Sequence, residues 1–103
     1  MPVILVAIGA NLPSRRWGPP LAACRAALPA LEVAGVRVIR ASRWYRSAPL
    51  PASRSPWYIN GVARVETDLA PAALLALLHR IEDDFERRRG APNAPRTLDL
   101  DLL

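Results

Sequence analysis

Hydrophobic and polar positions along the chain follow two different periods in turn, which predict strands alternating with helices. Residues 3–8 are apolar at every position, as is typical of a central strand covered on both faces. Residues 36–45 indicate a second strand, whereas residues 57–66 and 97–103 alternate apolar and polar side chains. The apolar face of residues 57–66 is expected to consist of Trp57, Ile59, Ala63 and Val65. The last two strands therefore each have a polar face.

Two segments repeat apolar residues with the spacing of a helix that buries one side. Residues 20–31 carry the apolar positions Leu21, Cys24, Leu28 and Leu31. Residues 71–88 carry Leu74, Leu78, Ile81 and Phe85. Pro29 is expected to end or kink the first helix, because proline cannot donate a backbone hydrogen bond. The order βαββαβ predicts an α+β, ferredoxin-like sandwich, in which an antiparallel sheet of four strands carries both helices on one face.

Composition limits the classes of function. A chain of 103 residues that is 51% apolar fits a single domain over residues 1–103. The net charge of +5 comes from arginine alone and suits phosphate-bearing partners. One cysteine, Cys24, excludes an intrachain disulfide and indicates a cytoplasmic protein. The apolar start is too short to span a bilayer, so we expect no membrane association.

The sequence Asp99-Leu100-Asp101 is the first candidate for chemistry. Because a strand alternates its side chains, both carboxylates lie on the same side, roughly 6 to 7 Å apart. Mg²⁺ prefers one or two carboxylates together with water and the phosphate oxygens of a substrate. The alternative is a solvated edge strand, where such a pair is common.

A second candidate lies on the polar face of residues 57–66. Tyr58 and Asn60 share this face, so a flat ring could stack on the phenol while the amide bonds to its edge. The alternative is an ordinary cross-strand tyrosine and an asparagine near a turn.

Several segments in the same order resemble one enzyme family. The most specific is APRTLDLDL at residues 94–102, and AIGANL at 7–12, YRSAPL at 45–50 and YIN at 58–60 precede it. Residues 74–82, which end in Ile81-Glu82, agree as well, followed by Arg87 and Arg89. Together they resemble the 6-hydroxymethyl-7,8-dihydropterin pyrophosphokinase family. The resemblance implies an ATP-dependent diphosphotransferase of folate biosynthesis, which gives AMP and the pterin diphosphate.

The same resemblance implies roles for individual residues. Asp99 and Asp101 would hold two Mg²⁺ ions that bridge the phosphates of ATP. The catalytic phosphate clamps would be Arg87, Arg89 and Arg96. The pterin would contact Ser47, Pro49, Leu50, Tyr58 and Asn60. The nucleotide would contact His79, Glu82, Arg89 and Arg96. From the residues alone, the arginines are also typical of a solvated charge run, and Glu82 of an exposed helical carboxylate.

Family members continue for several tens of residues beyond this point, so we expect a domain truncated at its carboxy terminus. Two alternatives to the active enzyme stay open. One is a truncated or inactive homologue that retains nucleotide binding. The other is a ferredoxin-like module that holds RNA on its open sheet face, although paired carboxylates there would repel a polyanion. The partners implied by the enzyme are ATP and the pterin, without nucleic acid.

Overall fold

The structure, a computed structural model, describes residues 3–48, 57–85 and 97–103. Along the chain these residues form β1 (Ile4–Ala10), α1 (Pro20–Val33), β2 (Arg37–Ala41), β3 (Tyr45–Ser47), β4 (Tyr58–Glu66), α2 (Pro71–Asp84) and β5 (Asp99–Leu102). The predicted α+β class is confirmed, with two helices and an antiparallel sheet. The described part of the sheet has five strands, whereas the sequence pattern predicted four.

The extra strand arises because the predicted strand over residues 36–45 is interrupted. The backbone N–H of Ser42 donates to the Val62 carbonyl, and the Ser42 hydroxyl accepts from the Val62 N–H, both at 2.8 Å. Pairing with β4 then resumes in β3, where Tyr45 lies opposite Asn60. β4 is nine residues long and therefore pairs with β2 near one end and with β3 near the other.

The sheet order is β2-β4-β1-β5, with β3 beside β4. β1 is thus central, as predicted, but only one of its faces is fully covered. Val6 and Ile8 are buried in the core, whereas Leu5 and Ala7 on the other face are half-buried. The expectation that β1 is covered on both faces is therefore wrong for the face away from the helices.

Both helices contribute to one core with the covered face of the sheet. Helix α1 buries Ala23, Cys24, Ala27 and Leu31. Helix α2 buries Leu74, Leu77, Leu78, Ile81 and Glu82, and Phe85 after it is buried as well. The predicted placement of both helices on one face is confirmed. Among residues 3–48, 57–85 and 97–103, no helix covers the opposite face, which is here called the open face.

Helix α1 continues past Pro29 to Val33, so of the two expected effects of this proline the end of the helix is wrong, whereas the kink stays a prediction. Pro29 and Arg25 are both exposed, and water can therefore satisfy the Arg25 carbonyl that proline leaves without a donor. The helix ends instead at Val33, and Gly35, which follows the cap residue Ala34, has a φ of 91° that suits glycine. Gly35 donates to Glu32 and Val36 to Leu31, the two bonds of a Schellman motif.

Helix α2 begins at Pro71, as predicted, and its described part ends at Asp84. Its apolar stripe from Leu74 to Phe85 is buried as the pattern predicted. Within the described residues, neither helix is long and apolar enough to cross a membrane.

Candidate functional site

The open face carries a cleft of about 310 Å³ at the end where β3, β4, β1 and β5 lie side by side. Its polar and aromatic lining consists of Ser42, Tyr45, Tyr58, Asn60, Asp99 and Asp101. A larger cavity of about 770 Å³ lies between the two helices near Trp17 and Phe85. That cavity is mostly apolar and lies away from the paired carboxylates, so the smaller cleft is the better candidate for chemistry.

One row of paired residues crosses the cleft. Asp99 lies opposite Gly9 on β1, Gly9 lies opposite Asn60 on β4, and Asn60 lies opposite Tyr45 on β3. Neighbouring strands are about 4.8 Å apart, so Asp99 and Asn60 are separated by roughly 10 Å across the backbone of Gly9. The absence of a side chain at Gly9 leaves an open floor between the carboxylate and the amide.

The side chains expected to bind the pterin meet at one end of this row. The Asn60 amide nitrogen donates to the Ser47 hydroxyl at 2.7 Å. Ser47 lies opposite Tyr58, which is half-buried. This bond fixes the Asn60 amide with its nitrogen toward Ser47. The Asn60 oxygen lies over Gly9, because a β-carbon built there would be 3.1 Å from it. Asn60 thus presents a hydrogen-bond acceptor toward the middle of the cleft.

Trp57 does not join the core, and its predicted place on the apolar face of β4 is wrong. It precedes the first paired residue of the strand and is 53% exposed. The Arg46 guanidinium lies over its ring, 5.2 Å from the centroid. Trp44 instead packs against the core beside Gly61, where a β-carbon would come within 2.6 Å of the indole.

The two carboxylates occupy the open face of β5, while Leu100 between them is buried in the core. Within residues 3–48, 57–85 and 97–103, no group of three or more histidine, cysteine, aspartate or glutamate side chains could hold a metal ion. The carboxylates therefore form a two-ligand set. This set fits Mg²⁺, which takes its remaining ligands from water and phosphate oxygens, and does not fit a closed structural zinc site.

Residues 5–103 match the family 7,8-dihydro-6-hydroxymethylpterin-pyrophosphokinase. The chain belongs to this family. It is 38% identical to 2-amino-4-hydroxy-6-hydroxymethyldihydropteridine pyrophosphokinase of Haemophilus influenzae over 99 residues. This aligned region is 95% of this chain and 59% of that protein. The enzyme of the same name from Pseudomonas aeruginosa is 41% identical over 101 residues, 97% of this chain and 59% of that protein.

The family also occurs within larger proteins. The mitochondrial folate synthesis bifunctional protein of Pisum sativum is 34% identical over 100 residues, which are 97% of this chain and 18% of that protein. The chain spans about three-fifths of the length of the two bacterial pyrophosphokinases it matches.

Not every residue expected to contact substrates reaches the cleft. In this pyrophosphokinase-family chain, His79 and Glu82 lie on α2, which packs on the other face of the sheet. His79 is half-buried there. Pro49, Leu50, Arg87, Arg89 and Arg96 lie outside the described residues. The roles expected for all of these residues stay predictions.

Glu82 is 1% exposed, and its Oε2 accepts a hydrogen bond from the Leu100 N–H at 2.8 Å. The interpretation of Glu82 as an exposed helical carboxylate is therefore wrong. The signal was present in the sequence, because Glu82 continues the four-residue spacing of Leu74 and Leu78 toward the core.

Two further cleft residues were not among the sequence-based candidates. Tyr45 lies opposite Asn60 and is 60% exposed, and Ser42 bonds to the backbone of Val62. Their positions depend on how β3 pairs with β4, and pairing across strands cannot be read from periodicity. Only the placement of Tyr45 two residues before Ser47 indicated that the two share a face.

Cys24 lies behind the cleft, on the helix side of the sheet. Its Sγ is 3.9 Å from the Ile59 carbonyl oxygen. Burial raises the pKa of the Cys24 thiol to about 11, so the side chain is a neutral core residue at ordinary pH.

Proposed function

We propose that this chain takes part in the transfer of pyrophosphate from ATP to 6-hydroxymethyl-7,8-dihydropterin in folate biosynthesis, with release of AMP. The observation that carries the proposal is that two carboxylates line the same cleft as a tyrosine and an asparagine, which are the residue types that the proposed metal and ring contacts require. Asp99 and Asp101 lie at one side of this cleft, and Tyr58 and Asn60 lie at the other. Membership of the pterin pyrophosphokinase family supports the same reaction.

In this proposal the pterin lies on the Tyr58 side of the cleft. The Tyr58 ring stacks on the pterin, and the Asn60 oxygen accepts from a pterin N–H. Ser47 holds the Asn60 amide in the orientation that this bond requires. Pro49 and Leu50, in the segment after Ser47, are proposed to complete the pterin contacts. The pterin hydroxyl is thereby directed across Gly9 toward Asp99 and Asp101.

The two aspartates would hold Mg²⁺, which when bound would neutralise the charge of the ATP phosphates. The pterin hydroxyl oxygen forms a bond to the β-phosphorus, the bond from that phosphorus to the oxygen retained by AMP breaks, and the hydroxyl proton passes to solvent. We propose two ions, as in the family expectation. Arg87, Arg89 and Arg96 are proposed to clamp the phosphates, with His79 near the nucleotide and Glu82 behind the strand that carries the two aspartates. Such transfers depend mainly on positioning and electrostatics, which these groups would supply.

The two-carboxylate set in the cleft disfavours an RNA-binding module, because carboxylates repel a phosphate backbone unless metal ions intervene. A small, metal-dependent phosphate ligand fits the cleft better. The single cysteine, buried and reduced, is compatible with the cytoplasmic location that we include in the proposal.

The proposal is tested by AMP release when the chain is mixed with ATP, Mg²⁺ and the pterin, beside a reaction without pterin. We expect pterin-dependent AMP from the natural chain and none from Asp99→Ala or Asp101→Ala. Asp68→Ala is the matched control, since Asp68 is an exposed acid in the turn after β4. Mg²⁺-dependent ATP binding without AMP would identify the inactive homologue. ATP binding that is equal in all three variants would contradict the metal assignment.

A further inference from the structure

The backbone between the two cleft carboxylates is held by a side chain from the other face of the sheet. In the described sheet β5 is an outer strand, and its ladder partner is β1 alone. The backbone N–H of Leu103 donates to the Leu5 carbonyl on β1. In an antiparallel ladder every second residue of a strand bonds to the same neighbour, so the backbone N–H and C=O groups of Asp101 and Asp99 also point toward β1. The Leu100 N–H therefore points away from β1, toward α2.

Glu82 meets that N–H. Its Oε2 lies 2.8 Å from the Leu100 nitrogen, and the whole side chain is 1% exposed. A polar group is expensive to bury unless it is hydrogen-bonded, and the Leu100 N–H supplies a partner for Glu82 Oε2. Glu82 therefore holds β5 much as a further strand would, but at one residue only.

That residue is the one between the carboxylates. Asp99 and Asp101 project onto the open face, while Leu100 projects into the core. Their separation depends on the extended backbone of these three residues. A bidentate or bridging arrangement of oxygens around Mg²⁺ tolerates little error, because Mg²⁺ requires near-ideal octahedral geometry.

We propose that Glu82 is a positioning residue, which acts through the Leu100 amide to fix the spacing of Asp99 and Asp101 for Mg²⁺ and the nucleotide phosphates. The inference rests on the proposed function, since it assumes that the two aspartates bind the metal. It assigns to Glu82 an effect on nucleotide binding that requires no contact with the nucleotide. Glu82 belongs to the helix face of the sheet and reaches the strand from its edge.

The test compares two substitutions of similar volume. Glu82→Gln keeps an oxygen that can accept from Leu100 without the charge, whereas Glu82→Met removes the acceptor. ATP affinity is measured by calorimetry with Mg²⁺ and again with EDTA, and pterin affinity is measured alone. We expect Glu82→Met to weaken Mg²⁺-dependent ATP binding by about ten- to a hundredfold, the usual effect of losing a partner that orients metal ligands.

In Glu82→Met, ATP affinity in EDTA and pterin affinity should both stay within about twofold of the natural chain. In Glu82→Gln, Mg²⁺-dependent ATP affinity should stay within about threefold of the natural chain. Hydrogen exchange at the Leu100 amide should accelerate in Glu82→Met but much less in Glu82→Gln. Leu74→Ala, which opens the core from the same helix, controls for lost stability, because Leu74 is 1% exposed and its side chain cannot accept a hydrogen bond.

Three results would overturn the inference while leaving the proposed metal pair intact, provided that Asp99→Ala and Asp101→Ala abolish Mg²⁺-dependent binding. They are unchanged affinity in Glu82→Met, an equal loss in Glu82→Gln, and an equal loss in Leu74→Ala. The second would assign the effect to charge and the third to stability. If the aspartate variants bind Mg²⁺ and ATP normally, the metal proposal fails and the positioning of Glu82 fails with it.

Discussion

Gly9 offers a way to separate binding at the cleft from stability of the fold. It lies at the centre of the row that joins Asp99 to Asn60. A β-carbon at this position would lie 3.1 Å from Asn60 Oδ1 and 3.4 Å from the Ile59 carbonyl oxygen. The first distance is tighter than ordinary contact, so Gly9→Ala should displace the Asn60 amide by a few tenths of an ångström.

Two opposing terms set the stability of this variant. Alanine restricts the unfolded chain and contributes about 0.4–1 kcal/mol to stability, because the backbone at Gly9 has no positive φ that would exclude it. Displacing one flexible side chain costs a similar amount. The free energy of unfolding should therefore change by less than about 1 kcal/mol.

Binding should respond more strongly. Displacing the Asn60 amide weakens its 2.7 Å hydrogen bond to Ser47 and moves its oxygen away from the position proposed to accept from the ligand. The added methyl group also occupies space on the floor of the cleft. One weakened hydrogen bond is worth about 1 kcal/mol, which corresponds to roughly fivefold in affinity. With the lost space included, we expect pterin affinity to fall about five- to tenfold.

The assay is pterin titration by fluorescence or calorimetry, beside urea denaturation of the same samples. Gly35→Ala is the matched control, because Gly35 has a φ of 91° and open space around its α-carbon. It should cost about 1–2 kcal/mol of stability and leave pterin affinity unchanged. Unchanged affinity in Gly9→Ala, or a loss of affinity that merely follows stability in both variants, would refute the reasoning.

Two further predictions concern the core. Leu78→Ala should lower the free energy of unfolding by about 2–5 kcal/mol, because Leu78 is fully buried. Leu75→Ala, at a 40% exposed site on the same helix, should change it by less than about 0.5 kcal/mol. Equal losses of stability in urea denaturation would contradict the packing of α2. The raised pKa of the Cys24 thiol, about 11 against 9.0, means that the unfolded chain ionises first, so stability should fall as pH rises from about 9 toward 11. Cys24→Ala should make that decline less steep, and an identical slope in both proteins would argue against a buried neutral thiol.

The sequence pattern predicted the elements well where one face is buried. Tyr58 and Asn60 alternate with apolar residues on β4, and the aspartates do so on β5, so periodicity alone placed both pairs on polar faces. That both faces are the same face of one sheet follows from strand pairing and from the helices covering the other side. Periodicity within a strand contains no information about its neighbours.

The failures have local causes. Pro29 did not end α1, because its exposed position lets water replace the missing bond. Trp57 was assigned to the core because it continues the alternation of β4, but pairing begins only at Tyr58. For Glu82 the resemblance predicts a nucleotide contact, and the alternative from the residues alone, an exposed carboxylate, is wrong because the side chain is buried against β5. In each case a long-range contact or solvent exposure decided the outcome, and a single sequence specifies neither.

The pairing of β1 with β5 has a consequence for how the protein folds. The two strands lie about ninety residues apart along the chain, yet their residues directly face each other, as Gly9 and Asp99 do. Contacts between such distant segments form late and slowly, since a long loop must close first. Bringing the aspartates to the floor of the cleft therefore adds a long-loop entropy cost to folding. During synthesis on the ribosome, the cleft cannot be complete before β5 is made, because Tyr58 and Asn60 precede Asp99 and Asp101 along the chain.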